Sequence, residues 1–179
     1  MKATRFVPAL LPLLLLVAVV LGGVTPMAAV ESKFRILYNF TGGLDGGIPV
    51  LFAALAIDKQ GNLYGAALAG GAQQNCPGSD GSGCGVIFEM IRGSGGKWLE
   101  NVLYNFPSRK NADSPLALDS QGDLYGCTEE YGPMFELTLE AGQWTFNPIW
   151  PSGCIGQVGL ILDSAGNVYG GSATTRPAG

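Results

Sequence analysis

The chain has 179 residues, of which 28 are Gly, 11 Pro, four Cys and none His, and 10 Lys plus Arg stand against 14 Asp plus Glu for a net charge of −4. Without an imidazole, Ser/His/Asp and Cys/His nucleophile systems, an HExxH zinc protease and a His-ligated metal centre are excluded. The acidic balance lacks the basic footprint of a nucleic-acid binder, so no nucleic-acid partner is expected.

At the N-terminus, Lys2 and Arg5 precede an apolar run over 7–24, which Thr25-Pro26-Met27-Ala28-Ala29 ends with small residues. That is the pattern of a secretory signal peptide over 1–29. Pro8 and Pro12 interrupt a helix there, and Gly22-Gly23 breaks it. These breaks favour cleavage after Ala29 over retention as a signal anchor, although the run also reaches the lower limit for a membrane span. The expected location is outside the cell or in its envelope. Membrane contact is expected only through this segment, if it is uncleaved. An exported chain tends to pair its cysteines, and four cysteines allow three connectivities. Cys76 and Cys84 flank Pro-Gly-Ser-Asp-Gly-Ser-Gly, a stretch flexible enough to bring its ends together. This favours Cys76 with Cys84 and, by elimination, Cys127 with Cys154. CxxC spacing is missing, so no metal and no cofactor is expected.

A motif Asp-x-x-Gly-(Asn/Asp)-(Leu/Val)-Tyr-Gly occurs three times: Asp58-Lys-Gln-Gly61-Asn62-Leu-Tyr64-Gly65, Asp119-Ser-Gln-Gly122-Asp123-Leu-Tyr125-Gly126 and Asp163-Ser-Ala-Gly166-Asn167-Val-Tyr169-Gly170. Phe88-Glu89-Met90 recurs as Phe135-Glu136-Leu137, Leu37-Tyr38-Asn39-Phe40 as Leu103-Tyr104-Asn105-Phe106, and Trp98 as Trp144. Units of about 45–60 residues belong to propellers or solenoids. Within each unit the motif reads as a hairpin turn, with Asp closing it and Gly in the left-handed position. Strands are expected over 55–57, 62–64, 85–90 and 98–106, which together make one four-stranded antiparallel blade. Gly or Pro interrupts almost every helical window. The fold class expected is all-β, of propeller type and incomplete at about two and a half blades. Repeat 1 is assigned to 34–98, repeat 2 to 99–144, a partial repeat 3 to 145–170, and a disordered tail to 171–179.

The combination of residues 37–49, the Asp-x-x-Gly-Asn-Leu-Tyr-Gly turn, Gly83-Cys84-Gly85-Val-Ile-Phe88-Glu89 and Trp98 resembles the GloVer tandem repeat of secreted, choice-of-anchor bacterial proteins. The resemblance covers nearly all of 34–169. It implies an exported propeller-like array with no established activity and supplies no catalytic residue. The chain departs from that pattern in repeat 2, where Pro115 lies four residues before Asp119 while Pro49 lies nine before Asp58. Only eight residues separate Gly126 from Phe135, which predicts a malformed second blade. Repeat 3 has no Phe-Glu strand and no closing Trp. Two blades and a fraction do not close a ring, so exposed faces and self-association are expected.

The repeated residues read as structural ones. Asp58, Asp119 and Asp163 close turns, and their spacing fits no EF-hand loop. Tyr64, Tyr125 and Tyr169 are placed in packing between blades, and Trp98, Trp144 and Trp150 in packing rather than in a glycan-stacking site. Glu89 and Glu136 are placed as ladder residues on a strand rather than as a glycosidase carboxylate pair. The function expected is non-catalytic binding or scaffolding at the cell surface or beyond it, with a glycan or protein ligand. The Gly-rich loops 42–47 and 73–85 would carry recognition. The alternatives are a truncated or degenerate fragment without a function of its own, and part of a propeller enzyme acting on glycans or lactones.

Overall fold

In a computed structural model of the protein, the described residues are 34–50, 54–73, 76, 82–108, 111–128, 132–151, 153–154 and 159–171. The chain divides into Met1–Arg35 and Ile36–Gly179, and the fold described is that of the second unit. The signal segment 1–29 and residues 172–179 of the expected tail lie outside the described residues.

Every sheet is antiparallel, and no α-helix occurs among the described residues. The first sheet holds β1 (Gly47–Pro49), β2 (Ala56–Ile57), β3 (Leu63–Ala69), β4 (Val86–Arg92) and β5 (Trp98–Asn105). β1 and β2 share one edge of β3, at opposite ends, and β4 and β5 follow on the other side. The second sheet runs β6 (Ala117–Leu118), β7 (Leu124–Cys127), β8 (Met134–Glu140) and β9 (Gln143–Trp150) in that order. The third is the hairpin of β10 (Ile161–Leu162) and β11 (Val168–Tyr169).

Several details differ from the sequence expectations. The compressed second repeat is not malformed: its four strands pair in regular order, because the shortening falls in the connections and spares the strands. The sheets are also phased differently from the repeats, since β5 begins at Trp98, where repeat 1 was ended, and β9 runs past Trp144. A sequence period has no unique starting point, so both phasings describe the same unit. Residues 37–40 carry the motif of β5 but form no strand, and β1 had no signal in the alternation.

The core lies between sheets. β4 alternates strictly, so Val86, Phe88 and Met90 enter one cluster with Tyr38, Phe40 and Trp98, while Ile87 enters the other from the opposite face. That second cluster joins sheets 1 and 2 through Ile87, Leu103, Phe106, Leu124, Phe135 and Leu137, with Trp144 and Phe146 at its margin. Its rings are in register: Phe135 stacks on Phe146 at 4.9 Å between centroids, Tyr104 on Phe146 at 5.2 Å, and Phe106 meets Phe135 edge-on at 6.4 Å. A third cluster of Tyr125, Cys127, Cys154 and Leu160 joins sheet 2 to sheet 3. Two disulfides tie the loops, Cys76 to Cys84 and Cys127 to Cys154, with Cα atoms 5.0 and 5.6 Å apart. Paired cysteines fit an oxidising environment.

Candidate functional site

The three repeated turns share one hydrogen-bond plan. In the first, the Asp58 N–H donates to Asn62 O and the Gly61 N–H to Asp58 O, each at 3.1 Å, with Gly61 at φ +87° where a side chain would be strained. Asp58 Oδ1 accepts from the N–H groups of Gln60 (2.9 Å) and Asn62 (2.8 Å), and Oδ2 from Asn62 Nδ2 (2.9 Å) and the Tyr64 hydroxyl (3.1 Å). Asp163 repeats this with Ala165 and Asn167 N–H, Asn167 Nδ2 at 2.8 Å and the Tyr169 hydroxyl at 2.9 Å, around Gly166 at φ +84°. Asp119 accepts from the N–H groups of Gln121, Gly122 and Asp123 at 2.8–2.9 Å. Each carboxylate is thus occupied by its own turn.

Electrostatics follow from that plan. Burial alone would raise the Asp58 carboxyl, but the Asn62 backbone and side-chain donors, the Tyr64 hydroxyl and the Gln60 N–H outweigh it and hold the carboxyl below its ordinary value. Asp163 is held down to about 2, chiefly by the side chain and backbone of Asn167. The folded-state value is depressed, so this turn keeps its full contribution above about pH 4 and loses it as the pH falls through about 2. The side-chain amide of Asn167, followed by NMR, is expected to titrate with a midpoint near 2, below the roughly 3.9 of a free aspartate.

Repeat 2 breaks the plan at one position. Asp123 stands where the other turns have Asn62 and Asn167, and a carboxylate cannot donate to Asp119. Burial, then the charges of Asp119 and Glu136, push the Asp123 carboxyl up. Asp123→Asn restores the donor and removes the repulsion, so it is expected to stabilise the protein by about 0.5–1.5 kcal/mol at neutral pH. That gain shrinks as the pH falls through the Asp123 pKa, because protonated Asp123 already donates. Urea melts of both proteins at neutral and acid pH measure it.

The tyrosines and glutamates turn out to be cross-strand partners. Tyr64 faces Glu89 and Tyr125 faces Glu136 directly in register, with hydroxyl to Oε1 distances of 3.0 and 2.7 Å. Glu89 also accepts from Asn101 Nδ2 at 3.4 Å. Burial, with Glu89 and Asp58 around Tyr64 and Glu136 and Asp119 around Tyr125, pushes both phenols up, so they stay neutral donors. Tyr64 and Tyr125 are buried, as packing residues would be, but Tyr169 is 52% exposed on β11, which among the described residues pairs with β10 alone. Trp98 and Trp144 pack at core margins, whereas Trp150 is exposed at the end of β9.

The strands that lead into the three turns neighbour one another, β2 beside β6 and β6 beside β10, so the turns stand in a row. An open groove of about 590 Å³ separates the first two turns, lined by Ile57, Lys59, Gln60, Leu118, Ser120 and Gln121. A second of about 430 Å³ lies between the second and third, with Ser120, Gln121, Leu162 and Ser164 among its walls.

At the other end of β3, loop 42–47 interlocks with the ends of the cysteine loop. Gly71 N–H donates to Gly43 O (2.8 Å), Gly70 N–H to Ser82 O (2.6 Å) and Gly85 N–H to Gly70 O (3.0 Å). Asp45 holds loop 42–47 from within, accepting from the Thr41 N–H (2.9 Å) and hydroxyl (2.5 Å) and from Tyr38 (3.0 Å). Nearby, burial and then the Asp45 charge raise Glu100 to about 7, and its buried Oε1 has no hydrogen-bond partner among the described residues. Residues 74–75 and 77–81 of the second expected recognition loop lie outside the described residues.

Among the described residues no group of three or more His, Cys, Asp or Glu side chains is arranged to hold a metal ion, and no helix is long and apolar enough to cross a membrane. No family model, no curated protein and no solved structure matches this chain.

Proposed function

We propose that the protein is an exported repeat protein of β-propeller type, as the GloVer resemblance implies, and that it binds or scaffolds without catalysis at the cell surface or outside it. The observation that carries the reading is the commitment of the repeated acidic groups. Asp58, Asp119 and Asp163 are occupied by turn donors, and Glu89 and Glu136 by tyrosine hydroxyls, which leaves these repeated carboxylates structural duties instead of reactive ones. The propeller reading draws support from two equivalent contacts. Phe40 packs on Phe88 of sheet 1 as Phe106 packs on Phe135 of sheet 2, and Tyr38–Phe40 and Tyr104–Phe106 are both edge-on pairs at 5.1 Å. The same outer-strand motif therefore sits against each successive sheet. The first groove presents Lys59, Gln60, Ser120 and Gln121 beside the turn carboxylates of Asp58 and Asp119, over the apolar Ile57 and Leu118, and the second presents Ser120, Gln121 and Ser164 beside Asp119 and Asp163. Such a surface suits a hydroxyl-rich ligand of glycan type.

The test pairs a thermal melt of the purified protein with incubation against a panel of glycans and lactones, with and without calcium. A single cooperative transition, saturable binding of a glycan that shifts Lys59 and Gln121 resonances, and no turnover are expected. Product formation, or a broad melt with strong hydrophobic-dye binding, overturns the reading in favour of an enzyme or a decayed fragment.

A further inference from the structure

One ionisable side chain stands on the apolar face of sheet 1. β5 pairs with β4 so that Trp98 lies opposite Arg92, Glu100 opposite Met90 and Val102 opposite Phe88. Strand alternation puts these side chains on one face, where Val86, Phe88, Met90, Trp98 and Val102 form a hydrophobic cluster. Glu100 is thus a carboxyl set between two apolar neighbours of its own strand, and its buried Oε1 lacks a hydrogen-bond partner among the described residues.

Residues 36–46, a segment without strand pairing, cover this face. Tyr38 and Phe40 pack into the cluster, and Gly46 lies so close that an added Cβ would come within 2.7 Å of Val86 Cγ2 and 3.1 Å of Ala67 Cβ. The segment is fastened by Asp45, which accepts from the Thr41 N–H and hydroxyl and from the Tyr38 hydroxyl. Burial alone would raise the Asp45 carboxyl, but the Thr41 hydroxyl and N–H and the Tyr38 hydroxyl outweigh it, so Asp45 stays ionised through the neutral range. Asp45 is the charge that acts on Glu100, and Glu100 in turn acts on Tyr38, which makes the three one cluster between β5 and the segment. From β4, Arg92 shares the face but is exposed at its end, beside Trp98. The donors of Tyr38 and Thr41 are given to Asp45, so a second carboxylate at Glu100 finds repulsion there instead of a partner.

We propose that residues 36–46 are a pH-gated strap over sheet 1, docked while Glu100 is protonated and loosened when Glu100 ionises beside Asp45. A neutral carboxyl is tolerated in the apolar cluster, whereas a carboxylate there needs water, which reaches it when the strap lifts. The docked form holds the Glu100 proton more tightly than the roughly 4.3 of a free glutamate. Docking is therefore at full strength below about pH 4, weakens as the pH rises, and has lost this contribution once the pH passes about 7. Loosening uncovers Val86, Phe88 and Met90, so the strap couples pH to the exposure of an apolar face. The inference rests on sheet 1 and its cover, not on the grooves between the turns.

The test is amide exchange by NMR on the purified full chain at pH 5.5 and 8.5, corrected for the intrinsic rates. The reporters are the N–H groups of Thr41, bound to Asp45, and Gly42, bound to Gly46 O. Their protection is expected to fall at least ~tenfold at the higher pH, the effect of one unit of pKa difference, while the Asn62 N–H in the first turn keeps its protection. Glu100→Gln, neutral at both pH values, is expected to hold the acid-form protection throughout. In the unaltered protein the Glu100 carboxyl carbon and the Thr41 amide shift are expected to titrate together, with a midpoint near 7. Equal protection at the two pH values overturns the proposal, even if Glu100 titrates near 7, because its side chain then ionises without moving the strap. A loss of protection that persists in Glu100→Gln, or a Glu100 midpoint in the ordinary carboxylate range, overturns it as well.

Discussion

Replacing Phe135 by Ala is expected to cost about 3–5 kcal/mol, read as a lowered denaturation midpoint at unchanged slope. The ring is fully buried, stacks on Phe146, meets Phe106 edge-on and closes over Gly126. It is therefore shared by both strands beside it and by the neighbouring sheet. Removing it leaves a cavity that the backbone of β7 cannot fill, since the Gly126 position has no side chain to move inward. Against a typical total stability of about 5–15 kcal/mol, the loss is a large fraction. Phe88→Ala removes the equivalent ring of sheet 1, but that ring faces Phe40 from a segment without strand partners. A smaller loss is expected there, because an unpaired segment can settle into the space.

Gly70→Ala is the second large effect, expected at about 2–4 kcal/mol. Its φ is +74°, and a Cβ would lie 2.6 Å from both Gly43 O and Gly46 Cα. Those obstacles are backbone, so the interlocked loops have to separate to make room, in addition to the roughly 1–2 kcal/mol cost of a left-handed non-glycine residue. Gly61→Ala supplies the comparison, since its φ is +87° but nothing lies within 4 Å. It is expected to show the conformational cost alone, about 1 kcal/mol, so the difference between the two melts isolates the loop contact. If Gly70→Ala costs no more than Gly61→Ala, the interlocking of the loops contributes nothing to stability.

Much of the architecture is legible in the residues themselves. An Asp-x-x-Gly-(Asn/Asp) turn repeated three times between short β-branched and aromatic runs leaves little alternative to antiparallel hairpins, and four cysteines without metal spacing point to disulfides. What escaped the sequence was lateral. Nothing local to Tyr64 announces that Glu89, 25 residues on, stands opposite it, although the two recur together in repeat 2 and that shared phase was a usable signal. β1 has three residues including a proline, so alternation could not reveal it. The meeting of loop 42–47 with Gly70 and Gly71, and of Gly70 with Gly83, depends on tertiary approach, which glycine permits but does not encode. Compression in repeat 2 alters the spacing along the chain but not the sheet registers, which depend only on the strands.

The disulfide between Cys127 and Cys154 encloses β8 and β9, and the turn between those strands is the exposed pair Ala141 and Gly142. A protease that nicks this turn therefore releases nothing, because both halves remain covalently joined and the β8–β9 pairing keeps them aligned. The tip is a natural place to open the chain, for insertion of a tag or a second domain, with the bond acting as a splint until a reductant is added.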